Sequence, residues 1–199
     1  MKFSNMFKLF FACVAAALLG LLAGCSGDKP QFASIDVTGA EFGKNFELTD
    51  HNGKVRTLQD FAGKIVVLFV GYTQCPDVCP TTMTELVEVR KLLGADGQKV
   101  QALFVTIDPE RDTPAVLKNY MENFDPSFLA LYTSPEKLIA FAKEFKVYYK
   151  RVNGKTPTSY VMEHTAFSYV YDTSGKLRLS ARYGLGAPAL AADIKLLLR

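Results

Sequence analysis

Cys75 and Cys79 stand four residues apart in Tyr72-Thr73-Gln74-Cys75-Pro76-Asp77-Val78-Cys79-Pro80-Thr81. Two thiols so close can cycle between dithiol and disulfide, or share one metal ion as thiolates. The spacing is Cys-x3-Cys, wider than the Cys-x2-Cys of common redox motifs. Residues four apart on a regular helix hold their Cβ atoms roughly 5–6 Å apart, beyond the roughly 3.5–4.5 Å that a disulfide prefers. Pro76 and the turn before Pro80 can close that gap. The residues alone therefore leave disulfide chemistry and metal binding both open.

The motif follows an apolar run, Ile65 to Val70, that suits a strand buried on both faces. Gly71 lets the chain turn off that strand. Pro80 suits the first position of a helix, which makes Cys79 the expected N-cap. The helix N-terminus would then favour its thiolate. Met83, Leu86, Val87 and Leu93 follow at helical spacing, Gly94 closes the helix, and Val100 to Ile107 is a second buried strand. Strand–helix–strand predicts a right-handed parallel crossover, with ligands beyond the strand C-termini, where both cysteines fall.

Other elements complete a pattern. Asn45–Thr49 and Lys54–Leu58 read as an early hairpin around Asp50-His51-Asn52-Gly53, which puts His51 in a solvated turn. Asp112 or Thr113 can cap a helix from Pro114, and Ser134 one from Pro135, with Leu129–Tyr132 a short strand between them. Ala166–Tyr171 and Lys176–Ala181 form a late hairpin, and Pro188–Leu198 a last helix. The order predicts an α/β, thioredoxin-like sandwich with an N-terminal β-hairpin and an inserted strand–helix element. In that fold the segment before the late hairpin lies against the cysteine turn, and His164 occupies it, in Tyr160-Val161-Met162-Glu163-His164-Thr165. Two thiolates and an imidazole make a soft donor set suited to copper, with zinc also accommodated.

The N-terminus carries Lys2 and Lys8, an apolar stretch from Leu9 to Leu22, and then Leu22-Ala23-Gly24-Cys25. This reads as a secretory signal too short to span a membrane comfortably. The small residues before Cys25 resemble the lipobox of bacterial lipoproteins, which implies cleavage before Cys25 and lipidation of that residue. The expected organisation is a signal peptide over 1–24, a lipid-anchored tether over 25–40, and one domain over 41–199. The protein would be exported and membrane-anchored, facing the periplasm or another extracytoplasmic space. The formal charge of +3 falls to about +1 once Lys2 and Lys8 leave, and no basic cluster suggests a nucleic-acid partner. Cys75 and Cys79 are then the only cysteines outside the signal and the anchor. A disulfide between them would close a very short loop and stabilise little, so the pair is there for chemistry.

The chain resembles the Sco/SenC family of copper-binding assembly factors for cytochrome c oxidase. Cys75-Pro76-Asp77-Val78-Cys79-Pro80 matches that family's signature, Asp108-Pro109-Glu110-Arg111-Asp112-Thr113 resembles its second motif, and His164 falls at its third ligand position. Glu163 stands before it where an Asp is frequent, so an acid is kept. The resemblance covers roughly residues 40–199. It implies a site for Cu(I) or Cu(II) formed by Cys75, Cys79 and His164, with the cysteines also able to form a redox disulfide. Asp77 and Asp108 are candidates to order the site from outside it. The implied partner is cytochrome c oxidase subunit II or another copper protein, with the membrane reached through lipid on Cys25.

Two functions follow from these residues. One is a metallochaperone, a binding protein without turnover. The other is a thiol–disulfide oxidoreductase that keeps partner cysteines reduced, with Cys75 and Cys79 as its reacting groups. The x3 spacing, a histidine in place of the usual proline, and the lack of any Trp favour the first. A peroxidase is disfavoured, because it needs one peroxidatic cysteine with its own supporting residues.

Overall fold

The computed structural model describes residues 30–156 and 159–199. The signal peptide expected over 1–24 and the lipidation expected at Cys25 fall outside the described residues. Residues 32–199 form one compact unit. Among the described residues no helix is long and apolar enough to cross a membrane.

Two strands make the centre. β4 (Ile65–Gly71) and β5 (Val100–Thr106) are buried at every position and pair in parallel from Ile65↔Val100 to Gly71↔Thr106. Continuous Val, Leu and Phe runs of this kind are what a strand covered on both faces requires. α1 (Val78–Leu93) connects them, and Gly94 ends it at φ 59°, a left-handed conformation that glycine adopts without penalty. β6 (Leu129–Tyr132) extends the sheet in parallel beside β5.

Antiparallel strands finish the sheet. β1 (Ile35–Asp36), β2 (Leu48–Asp50), β3 (Val55–Arg56), β9 (Phe167–Tyr171) and β10 (Leu177–Arg182) join the other three in the order β1-β10-β9-β4-β5-β6-β2-β3. The early hairpin β2–β3 therefore lies on the far edge, next to β6. α2 (Pro114–Glu122) starts at Thr113 and α3 (Pro135–Glu144) at Ser134. Both caps accept a backbone N–H, and both are followed by proline, as the sequence predicts. α4 (Ala187–Leu197) packs along α1.

Three expectations need correction. Residues 33–38, assigned to the tether, are docked on the domain: Ile35 and Asp36 pair with Ser180 and Leu179. The Ala33 and Ser34 N–H groups both donate to the buried Asp193 carboxylate at 2.8 Å. Second, β7 (Tyr149–Asn153) and β8 (Tyr160–His164) form a separate two-stranded sheet that was not expected. Their burial is slight, so the apolar alternation that reveals a strand is missing. Third, His51 is not a free turn residue. Its N–H donates to the Ala130 carbonyl at 2.9 Å, and its Nδ1 accepts the Ala130 N–H at 3.1 Å.

Candidate metal centre

The cysteine segment leaves β4 at Gly71. Its φ is not positive, so the glycine is not there for a turn. A Cβ at Gly71 would lie 2.7 Å from Cys79 Sγ and about as tightly against the rings of Phe69 (3.0 Å) and Phe104 (3.1 Å). Glycine is what lets the sulfur seat on the end of the strand.

The helix begins two residues earlier than Pro80 suggests. Asp77 occupies the N-cap position without a capping side-chain bond, Val78 is first, and Cys79 lies inside the first turn. Cys79 is fully buried and Cys75 half-buried, and both are free thiols. Burial pushes the Cys79 thiol well above its ordinary range, outweighing the backbone hydrogen bond at Tyr72 that favours the thiolate. The expected thiolate-favouring effect of the helix terminus is therefore overridden at Cys79.

His164 ends β8, opposite Tyr149. Its Nδ1 lies 2.9 Å from the Thr165 carbonyl. A carbonyl only accepts, so Nδ1 carries the proton and Nε2 presents its lone pair. That lone pair faces Cys79 Sγ at 3.7 Å. Tyr72 and Phe69 meet the imidazole edge-on, with centroids at 6.0 and 6.3 Å. Burial lowers the His164 pKa, with only the Thr165 contact opposing, so the ring stays neutral below the pH at which an exposed histidine would charge.

The two sulfurs and one imidazole nitrogen lie within 4.8 Å of one another, the one such cluster among the described residues. The set fits a soft ion: two sulfurs, a neutral nitrogen with its tautomer fixed by a backbone carbonyl, and apolar walls. The structure thus brings together all three residues that the sequence singled out.

The two acids behave differently. Asp77 is exposed and makes only a 3.5 Å contact with Thr81 Oγ1. Asp108 is buried and fully engaged, with Oδ1 accepting from the Tyr160 hydroxyl at 2.7 Å and Oδ2 from Arg111 Nε at 2.5 Å. Arg111 Nη1 also donates to Gln74 Oε1 at 3.1 Å and to the Tyr160 carbonyl at 3.0 Å. Its guanidinium lies 3.5 Å from the Tyr160 ring centroid and 5.7 Å from that of Tyr72.

The sequence offers Asp112 or Thr113 as the helix cap. Thr113 takes that role, and Asp112 instead accepts from the Thr73 N–H (3.1 Å), Thr73 Oγ1 (2.5 Å) and Thr106 Oγ1 (2.5 Å). Burial raises its pKa even against these bonds. Thr73, Tyr72 and Tyr160 are the supporting residues that sequence reasoning missed. A long-range bond between Thr73 and Asp112 leaves no periodicity to read.

Fold and cluster together define a class, an α/β sandwich presenting a sulfur–sulfur–nitrogen donor set beyond the C-terminal end of its central strand. A family model described as SCO1/SenC matches residues 36–199. The SCO2-like protein of Rickettsia felis is 33% identical over 182 residues, 87% of this chain and 88% of that protein. ScoI of Bradyrhizobium japonicum, solved with copper bound, is 42% identical with a TM-score of 0.72, covering 80% of this chain and 100% of that one. Apo Sco1 from Thermus thermophilus is 35% identical with a TM-score of 0.75, covering 86% and 100%. The chain belongs to the SCO1/SenC family, and its fold is the thioredoxin-like sandwich of those structures.

Proposed function

We propose that this protein is a copper metallochaperone that binds one copper ion through Cys75 Sγ, Cys79 Sγ and His164 Nε2. The observation that carries this is the convergence of those three atoms within 4.8 Å, with Nε2 left unprotonated by the Thr165 carbonyl. The relative from B. japonicum, described with copper bound, supports the choice of metal. Two thiolates satisfy Cu(I), whereas Cu(II) calls for the imidazole nitrogen as well. The chain's own residues supply a buried seat at Cys79, an opening at Cys75, and an imidazole held in one tautomer. The recipient would be the dinuclear copper centre of cytochrome c oxidase subunit II or another copper protein. Lipid on Cys25 would hold the domain at the membrane on the extracytoplasmic side, and loss of labelled palmitate incorporation in Cys25→Ala tests that attachment.

The test of the central reading is anaerobic copper titration of the reduced full chain in detergent, beside Cys75→Ser, Cys79→Ser and His164→Ala. One tightly held ion is expected, lost in both cysteine variants and altered in absorption in His164→Ala. A chain that holds no copper but rapidly reduces a disulfide substrate would instead be a thiol–disulfide oxidoreductase.

A further inference from the structure

We propose that Arg111 is a positioning residue that locks the cysteine loop and the histidine strand into one register, and so supports the three-donor arrangement over the two-sulfur one. The inference rests on the copper reading above. The two sulfurs belong to one continuous stretch of chain, the loop after β4 and the first turn of α1. The imidazole belongs to β8, in the separate sheet. A metal held by both sulfurs alone makes no demand on the relation between these segments. A metal that also takes His164 Nε2 does.

Arg111 stands at that joint. A single nitrogen, Nη1, donates to Gln74 on the cysteine loop and to the Tyr160 carbonyl on β8. Its flat face covers the Tyr160 ring, and the Tyr72 ring lies beyond. Asp108 fixes the other end of the guanidinium and grips the Tyr160 hydroxyl with its second oxygen. The neighbouring Asp112 holds Thr73, so residues 73 and 74, just before Cys75, are gripped by residues 112 and 111. Arg111 Nη2 is buried with no hydrogen-bond partner. A buried donor left unpaired carries a desolvation cost, so this guanidinium is not placed to maximise its hydrogen bonds. Its shape explains the placement: a planar fork can bond two segments and stack on a ring at once, which an ammonium cannot.

The consequence is selective by valence. Loosening the joint should weaken Cu(II), which calls on the imidazole, and spare Cu(I), which the thiolates satisfy. The experiment compares native full chain, Arg111→Lys, Arg111→Ala and Gln74→Ala in detergent, with Cu(II) and Cu(I) affinities and the thiolate-to-Cu(II) absorption band measured for each. Arg111→Lys and Arg111→Ala should each lose about tenfold in Cu(II) affinity, the scale seen when a residue that orients a ligand is removed. Cu(I) affinity should stay within about threefold, and the potential of the bound couple should rise by about 59 mV per tenfold of selective loss. The Cu(II) band should shift in both. Gln74→Ala, at an exposed side chain, should move in the same direction by less. Equal loss of both valences, no loss of either, or full rescue by lysine would overturn the proposal. If native protein takes neither valence, the copper reading itself has failed. The joint is then judged on the metal-free reduced chain. There the amides of residues 73–79 and 160–164 should exchange faster in Arg111→Lys than in native protein, and unchanged exchange would overturn it.

Discussion

Cys79 seats its sulfur against the end of β4, whose seven residues are all buried, as are the seven of β5 beside it. His164 ends a strand of a two-stranded sheet that buries Met162 alone. The sulfur side of the site is positioned by the hydrophobic core. The nitrogen side is positioned by a few contacts at the domain surface: Met162, Tyr149 and Tyr160 packed on the core, and the polar links of Tyr160 to Arg111 and Asp108. A two-stranded ribbon has little stability of its own in water, so β7–β8 depends on those few contacts to hold its place. One donor set thus has a stiff arm and a compliant one, built by different forces and open to different perturbations.

The sharpest expression of this contrast is backbone opening. Amides of β4 and β5 should exchange only through global unfolding and those of β7–β8 through local opening, so the rates should differ by on the order of a thousandfold. Native-state hydrogen exchange on metal-free protein measures this, and equal protection would erase the distinction. Gly71→Ala attacks the stiff arm. Its Cβ must displace Cys79 Sγ or the Phe69 and Phe104 rings, at a cost of about 1–3 kcal/mol in a denaturant melt. Native stability in that variant would mean that the strand end yields easily.

Acidity separates the arms in another way. Cys79 must lose a proton to ligate, and burial holds that proton tightly, so near neutral pH this residue contributes about a tenfold gain in metal affinity per unit rise in pH. His164, with its pKa lowered, is already neutral there and adds no slope. Its protonation weakens Cu(II) binding only as pH falls below the ordinary imidazole value of about 6.5. Competition titrations between pH 6.5 and 8 check this, and a slope abolished in His164→Ala would reverse the assignment. The smallest effect is expected at Asp77. Exposed and lightly bonded, it should tolerate Asp77→Asn with affinity changed less than about twofold and stability within about 0.5 kcal/mol.

What could be read in the sequence follows the same division. β4, β5 and α1 carry their signals locally, in unbroken apolar runs and helical spacing, and Thr113-Pro114 and Ser134-Pro135 mark helix starts within two residues. The family signature and His164 pointed to one cluster, and the structure assembles it. The misplaced N-cap came from assigning Pro80 to the first helical position when the helix already starts at Val78. β7–β8 escaped because Tyr149-Lys150-Arg151-Val152-Asn153 has no buried face to impose a pattern. β1 escaped because two exposed residues pairing with β10 depend on a partner more than 140 positions away. The supporting bonds of Asp112 and Arg111 are legible only once the chain is folded, since each joins segments distant in sequence.

The uneven burial of the three donors also sets an order of events. Cys79 is 0% exposed, while Cys75 and His164 keep part of their surface. Anything arriving from solvent, an ion or a competing thiolate, can meet Cys75 or His164 before it reaches the Cys79 sulfur beneath. Departure of a bound ion would run the same order backward, with the outer sulfur first to exchange and the inner one last to let go. In the proposed chaperone, a site of graded depth would give handover a direction, with a recipient competing for one ligand at a time.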